Sequence, residues 1–173
     1  IEGADLECSG LVDEPSAANA VIGLGDGVVV DVGGGTTGIA VVVDGRVVHT
    51  ADEATGGIHF TLVVAGALGV PFEEAERLKT DAREQQRLLP VVRPVMEKVA
   101  SIVVRNAAGF ATPTVCLVGG TVAFPGFAEV VEQASGLPTV VPTSPLFVTP
   151  LGIARSAPVH EPASGLVDAW RGR

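Results

Sequence analysis

A β-branched run, Val28-Val29-Val30-Asp31-Val32, leads into three glycines and two threonines, Gly33-Gly34-Gly35-Thr36-Thr37. The chain then returns to an apolar run, Gly38-Ile39-Ala40-Val41-Val42. Strand, glycine loop and strand is a narrow prescription, because three adjacent glycines cost backbone entropy that an ordinary turn does not require. Glycine admits positive φ and lets a ligand approach the backbone with no Cβ in the way. Such a loop aims backbone N–H groups, with the hydroxyls of Thr36 and Thr37, at one anion. Walker-type and dinucleotide loops run from strand into helix, with Gly-Lys-Ser/Thr or a G-x-G-x-x-G pattern. Here the loop holds no lysine and a second strand follows, which excludes both. The competing reading is a hairpin with no ligand, although two-residue turns such as Asp44-Gly45 serve that purpose more simply.

Composition narrows the partners. A net charge of −9 and a pI near 4.7 exclude the basic face that nucleic-acid binding needs. A single nucleotide stays compatible, since backbone amides and magnesium can hold phosphate with little basic charge. The apolar share is 47% and the mean hydropathy +0.45. The longest apolar stretch, residues 62–72, is nevertheless broken by Gly66, Gly69 and Pro71. That is short of the roughly 18 residues of a membrane span, so no membrane partner is expected. Cys8 and Cys116 are lone cysteines in apparent strands and read as two buried free thiols, as in a reducing, cytoplasmic compartment. His49, His59 and His160 show no metal-ligand spacing. At 173 residues the length suits one domain or one lobe. No basic leader opens the chain, and a start on Ile1 rather than Met is expected of a piece of a longer protein.

The elements follow in order. Residues 6–12 read as a strand and residues 16–24 as an Ala-rich helix opened by Pro15. Three hairpin strands come next, at 28–32, 39–43 and 46–50. Helices are expected over 58–68 and 72–79, the second with acids in its first turn. A polar connector is expected over 80–86, and a longer helix opened by Pro94 carries an apolar face of Val95, Val99, Ile102 and Val103. Residues 114–118 form a buried-type strand, 126–135 a helix, 140–141 a short strand and 149–156 a final helix. Strands in a meander, then alternating with helices, imply a mixed-sheet α/β or α+β layer structure.

A second glycine turn, Leu117-Val118-Gly119-Gly120-Thr121, ends an apolar strand and leads toward a helix. With Val12-Asp13-Glu14-Pro15-Ser16-Ala17-Ala18 before the first loop and Pro150-Leu151-Gly152-Ile153-Ala154 near the end, the order resembles the second lobe of the actin, hexokinase and heat-shock ATPase superfamily. Asp31 to Thr37 is similar to that family's second phosphate motif, and Leu117 to Thr121 to its adenosine motif. Within it, the segments Thr50-Ala51-Asp52-Glu53-Ala54-Thr55-Gly56-Gly57 and Phe72-Glu73-Glu74-Ala75-Glu76-Arg77-Leu78-Lys79 resemble the ethanolamine-utilisation J family. That family is chaperone-like and encoded with bacterial microcompartment genes.

The resemblance implies an α/β fold, a ribonuclease-H-like actin-type ATPase lobe. It would span residues 1–156, with 157–173 as a flexible tail. It implies ATP and Mg²⁺ as cofactors. Gly33, Gly34, Gly35, Thr36 and Thr37 would cradle the β- and γ-phosphates. Asp31 would hold magnesium through water, its alternative being a turn-capping carboxylate. Glu14 would face the metal and the attacking water, or merely complement its helix dipole. Glu76 and Lys79, three apart on one helix face, would touch sugar and base, or else form a solvated pair. Gly119, Gly120 and Thr121 would let the backbone approach adenosine. Around Trp170 the tail reads as frayed, or as a partner-docking helix.

Relatives clamp ATP between two lobes, and no second phosphate hairpin precedes residue 28. The chain alone is therefore expected to hydrolyse ATP slowly or not at all. It is also expected to pair with a first lobe or to self-associate through the inter-lobe face. The leading functional expectation is an ATP-binding, chaperone-like protein of ethanolamine utilisation, cytoplasmic and associated with a microcompartment, with a metabolic-enzyme client. Alternatives are an actin-like cytoskeletal or pilus-assembly subunit and a reactivating factor for a cobalamin-dependent enzyme.

Overall fold

A computed structural model describes Gly3, Cys8 and residues 10–157. Its elements are α1 (Glu14–Ile22), β1 (Gly27–Val32), β2 (Thr37–Val43), β3 (Arg46–Glu53), α2 (Gly57–Leu68), α3 (Phe72–Thr80), α4 (Ala82–Ala107), β4 (Val115–Val118), a 3₁₀ turn (Thr121–Ala123), α5 (Phe127–Ser135), β5 (Thr139–Val140) and α6 (Pro145–Ser156).

The five strands form one sheet in the order β3-β2-β1-β4-β5. β1, β2 and β3 are antiparallel neighbours, while β4 joins β1 in parallel and β5 joins β4 in parallel. The β2–β3 hairpin closes on Asp44 (φ 51°) and Gly45 (φ 71°), the positive-φ pair that matches the sheet's twist.

Both faces of the sheet are covered at its centre, so β1 and β2 are almost continuously buried instead of alternating in burial, while the edge strand β3 stays largely exposed. Alternation survives as a choice of face. Val28, Val30, Val32, Ile39 and Val41 pack with Phe60, Met96, Val99, Val103 and Phe127 on the α2, α4 and α5 side. Val29, Val42, Cys116 and Val118 pack with Ala18 and Val148 on the α1 and α6 side. The same parity directs Asp31 to the α1 and α6 face.

Several expectations are corrected. The polar connector over 80–86 is a single break at Asp81, whose side chain accepts from the Arg83 amide and caps α4. Pro94 does not open that helix: α4 runs 26 residues through both Pro90 and Pro94. Each proline removes an intrahelical hydrogen bond, but both lie on the exposed side, where water reaches the freed carbonyls. Leu88, Val92, Val95, Met96 and Val99 hold the buried side to the sheet. The last helix begins at Pro145, not at residue 149. The strand expected over 6–12 lies largely outside the described residues, and residues 10–12 are not strand. Cys8 is exposed; Cys116 is buried, which pushes its thiol up to about 11. The tail assigned to 157–173, with Trp170, lies outside the described residues except for Ala157.

Candidate nucleotide site

The glycine loop is held from behind. The Gly33 amide donates to the Thr36 carbonyl (3.0 Å) and closes the turn. The first amides of α2 then take the loop's carbonyls: Gly57 N–H donates to Gly33 O (2.9 Å) and Ile58 N–H to Gly34 O (2.7 Å). Two orphan donors of a helix start are satisfied in this way. A trans peptide points its N–H opposite to its C=O. With the carbonyls of Gly33 and Gly34 drawn to α2, the amides of Gly34 and Gly35 therefore face away from it. Among the described residues, no protein group accepts from the amides of Gly34, Gly35 or Thr36.

Positive φ does not account for the glycines of the loop. None of Gly33, Gly34 and Gly35 has positive φ, contrary to the turn argument made from sequence. A Cβ at Gly34 or Gly35 would meet nothing within 4 Å. The protein's own packing thus requires no glycine at 34 or 35. At Gly56 the reverse holds, since a Cβ there would lie 2.7 Å from Gly33 O. Sequence reading had not placed Gly56 and Gly57 in the site. A glycine pair directly before a helix was the available signal.

Thr121 joins the second glycine turn to the first, its hydroxyl donating to Gly33 O (2.8 Å). Gly119 has φ 93°, and a Cβ there would lie 2.5 Å from Asp31 Oδ1. Opposite stands a polar knot on α2 and α3. The Lys79 ammonium donates to Glu76 (2.7 Å), Thr61 Oγ1 (2.9 Å) and Gly57 O (3.1 Å), and the Thr61 hydroxyl donates to Glu76. Burial by itself would raise the Glu76 pKa, but the hydrogen bonds from Lys79 and Thr61 and the lysine charge outweigh it and lower it.

These groups border one cleft of about 670 Å³. It gathers Glu14, Asp31, Gly33, Gly34, Glu76, Lys79, Gly119, Gly120 and Thr121, joined by Thr80 of α3 and by Leu146, Thr149, Pro150 and Ile153 of α6. Gly35, Thr36 and Thr37 do not line it. Thr36 borders the adjoining depression beside Asp13, Glu14 and Asp52. The Thr37 hydroxyl is buried and donates to Thr55 O (2.6 Å), so it is spent inside the fold instead of facing an anion.

Charge in the cleft is lopsided. Asp31 is only 6% exposed, and burial raises its pKa against the lowering effect of a hydrogen bond from Thr149. Glu14, at the start of α1, is raised by burial, then by the nearby charges of Asp31 and Asp52. Lys79 is committed to Glu76. A free polyphosphate would therefore meet uncompensated carboxylates, which a hard cation with oxygen ligands relieves. The all-oxygen donor set fits Mg²⁺. Among the described residues no three His, Cys, Asp or Glu side chains converge on one ion.

A mixed sheet covered on both faces, with a glycine hairpin and a second glycine turn meeting at one cleft, defines an actin-type ATPase fold. The chain belongs to that superfamily through the family of cell division protein FtsA, whose model matches residues 28–163. Its sequence is 44% identical to ethanolamine utilization protein EutJ of Escherichia coli (strain K12), over 96% of this chain and 59% of that protein. The crystal structure of EutJ from Carboxydothermus hydrogenoformans superposes with a TM-score of 0.82 at 50% identity, covering 88% of this chain and 57% of the other. MreB5 of Spiroplasma citri bound to AMPPNP shares the fold alone, with a TM-score of 0.72 at 14% identity, over 83% of this chain and 57% of that one. The chain thus spans less than two thirds of the length of the EutJ relatives it matches. Among the described residues, no single helix is long and apolar enough to cross a membrane.

Proposed function

We propose that this chain is the second, nucleotide-binding lobe of a EutJ-type protein and that it holds ATP with magnesium in the cleft. The observation that carries this reading is the pair Gly34 and Gly35. They are glycines that neither φ nor packing requires, with amides that no described group accepts. The phosphates would lie on those amides, with magnesium and its waters between them and Asp31. Glu14 would orient a water, and Gly119, Gly120 and Thr121 would meet the adenosine opposite Glu76 and Lys79. AMPPNP in MreB5, a protein of the same fold, supports the ligand class. The likeness to EutJ supports a role in ethanolamine utilisation; within it, the proposed role is chaperone-like, in the cytoplasm beside a bacterial microcompartment, toward an enzyme client. Phosphoryl transfer needs charge clamped from both sides, so the lobe alone turns over ATP slowly or not at all. Its apolar inter-lobe surface, with Leu151 of α6 55% exposed, would meet a first lobe or a second copy.

Calorimetric titration with ATP and magnesium tests the site, on the wild type and on Gly34→Val. A Cβ at 34 meets open space, so the variant folds normally while its side chain fills the phosphate position. Binding by the wild type and loss of about tenfold or more in affinity by the variant, a difference of about 1.4 kcal/mol, is the expected result. Equal binding by both would remove the loop from the site.

The family match to FtsA and the fold of MreB favour a second reading, a subunit of an actin-like polymer. ATP-dependent sedimentation of filaments would favour it over the first.

A further inference from the structure

Asp31 sits at the end of β1 and its side chain is nearly closed off from water. One carboxylate oxygen, Oδ1, lies against the backbone at Gly119, where even a methyl group would collide. The other, Oδ2, accepts the hydroxyl proton of Thr149, 118 residues away on α6. Among the described residues this is the side-chain hydrogen bond that Asp31 receives, and no Lys, Arg or His pairs with it. Thr149 is 8% exposed and borders the same cleft. Its helix is locked in place: a Cβ at Gly152, one turn further on, would lie 1.8 Å from the Ala17 carbonyl of α1, so the two helices touch backbone to backbone. A carboxylate with one wedged oxygen and one tethered oxygen has a single orientation, and a buried hydroxyl on a rigid helix sets it.

We propose that Thr149 is a positioning residue for the cation side of the nucleotide site. Its hydroxyl orients Asp31 toward the phosphate loop, so that α6 determines how much magnesium adds to nucleotide affinity. The inference rests on the reading of the cleft as a magnesium–nucleotide site. A threonine that merely satisfied a buried acid would contribute to stability alone. A positioning hydroxyl acts on the magnesium-dependent share of binding and spares the rest.

The test is calorimetric titration of ADP, which is not hydrolysed, with excess Mg²⁺ and again with EDTA, on the wild type, Thr149→Val and Thr149→Ser. Thr149→Val keeps the side chain's shape and removes its proton. Circular dichroism and thermal melts confirm that each variant folds. The expected result is that Thr149→Val loses about tenfold of the affinity gained from magnesium, the scale of a missing outer-shell partner, with its EDTA affinity within about twofold of the wild type. Thr149→Ser, which keeps the hydroxyl, should retain the gain. A valine variant with the full magnesium gain overturns the inference while leaving the site reading intact, as does an equal loss with and without magnesium. A wild type that binds no ADP under either condition overturns both.

Discussion

Asp31 shows what burying a carboxylate in the candidate cleft costs. Its pKa is raised in the folded chain, so the fold binds that proton more tightly than the unfolded chain does. Its contribution is then complete below about pH 3.8 and is lost as pH rises through the folded value. Asp31→Asn removes the charge yet still accepts from Thr149. It should melt at least ~2 °C higher than the ligand-free wild type at pH 7. The advantage should vanish below about pH 3.8, and magnesium-dependent nucleotide binding should be lost. A variant that melts lower at pH 7 would show that the charge is not a burden. Glu76 has the opposite sign: lowered by its bonds to Lys79 and Thr61, its contribution is present above about pH 4.5 and lost as pH falls through the folded value. Asp31 was legible as a strand-end acid before a glycine loop, because that signal is local. Thr149 was not, because nothing within 118 residues of chain links a helix threonine to that acid. Nor was the fate of the Thr37 hydroxyl, which depends on where Thr55 lies in space.

α4 tests how far packing overrides local preference. Proline in a helix interior costs about 3 kcal/mol, which is why Pro94 read as a start signal. The chain nevertheless continues the helix on both sides of it, because the apolar stripe through Leu88, Val92, Val95, Met96, Val99 and Val103 has no other place to be buried. Pro94 is exposed, so Pro94→Ala should stabilise the chain by about 1–2 kcal/mol after the loss of proline's stiffening of the unfolded state. A rise in the urea midpoint would register it, and an unchanged midpoint would mean that the missing hydrogen bond is already accommodated. The α1–α6 crossing makes the contrary demand. Gly152→Val forces a side chain into the Ala17 carbonyl and should destabilise by at least ~2 kcal/mol, lowering the midpoint and weakening nucleotide binding through Thr149 and Glu14. β1 and β2 were legible to within a residue or two, since their β-branched runs and the Asp44-Gly45 turn are local signals. β3, in contrast, runs three residues past the expected 46–50, to Glu53, because its polar end Ala51-Asp52-Glu53 is strand only through pairing with β2. The break at Asp81 was not, because one capping carboxylate replaced what composition presented as a seven-residue connector.

The molecule brings its site together from both faces of one sheet. α2 and α3 deliver Lys79, Glu76 and the anchoring amides from one side, and α1 and α6 deliver Glu14 and Thr149 from the other. A ligand spanning both should stabilise the whole described unit. At a magnesium–ATP concentration one hundredfold above its dissociation constant, linkage adds about 2.7 kcal/mol, a rise of ~5–10 °C in melting temperature for a chain of this size. Magnesium or ATP added singly should give much less, since the carboxylates repel free polyphosphate. Equal shifts with ATP in EDTA would contradict the charge reading of the cleft. By itself the sequence determined the three hairpin strands, the two glycine turns and the superfamily, because each is written in residues adjacent along the chain. Tertiary structure alone decided which amides are free, which hydroxyls are spent, that α4 outlasts its prolines, and that Thr149 meets Asp31. Those outcomes depend on distances between elements, and it is the two-faced burial of the sheet that sets them.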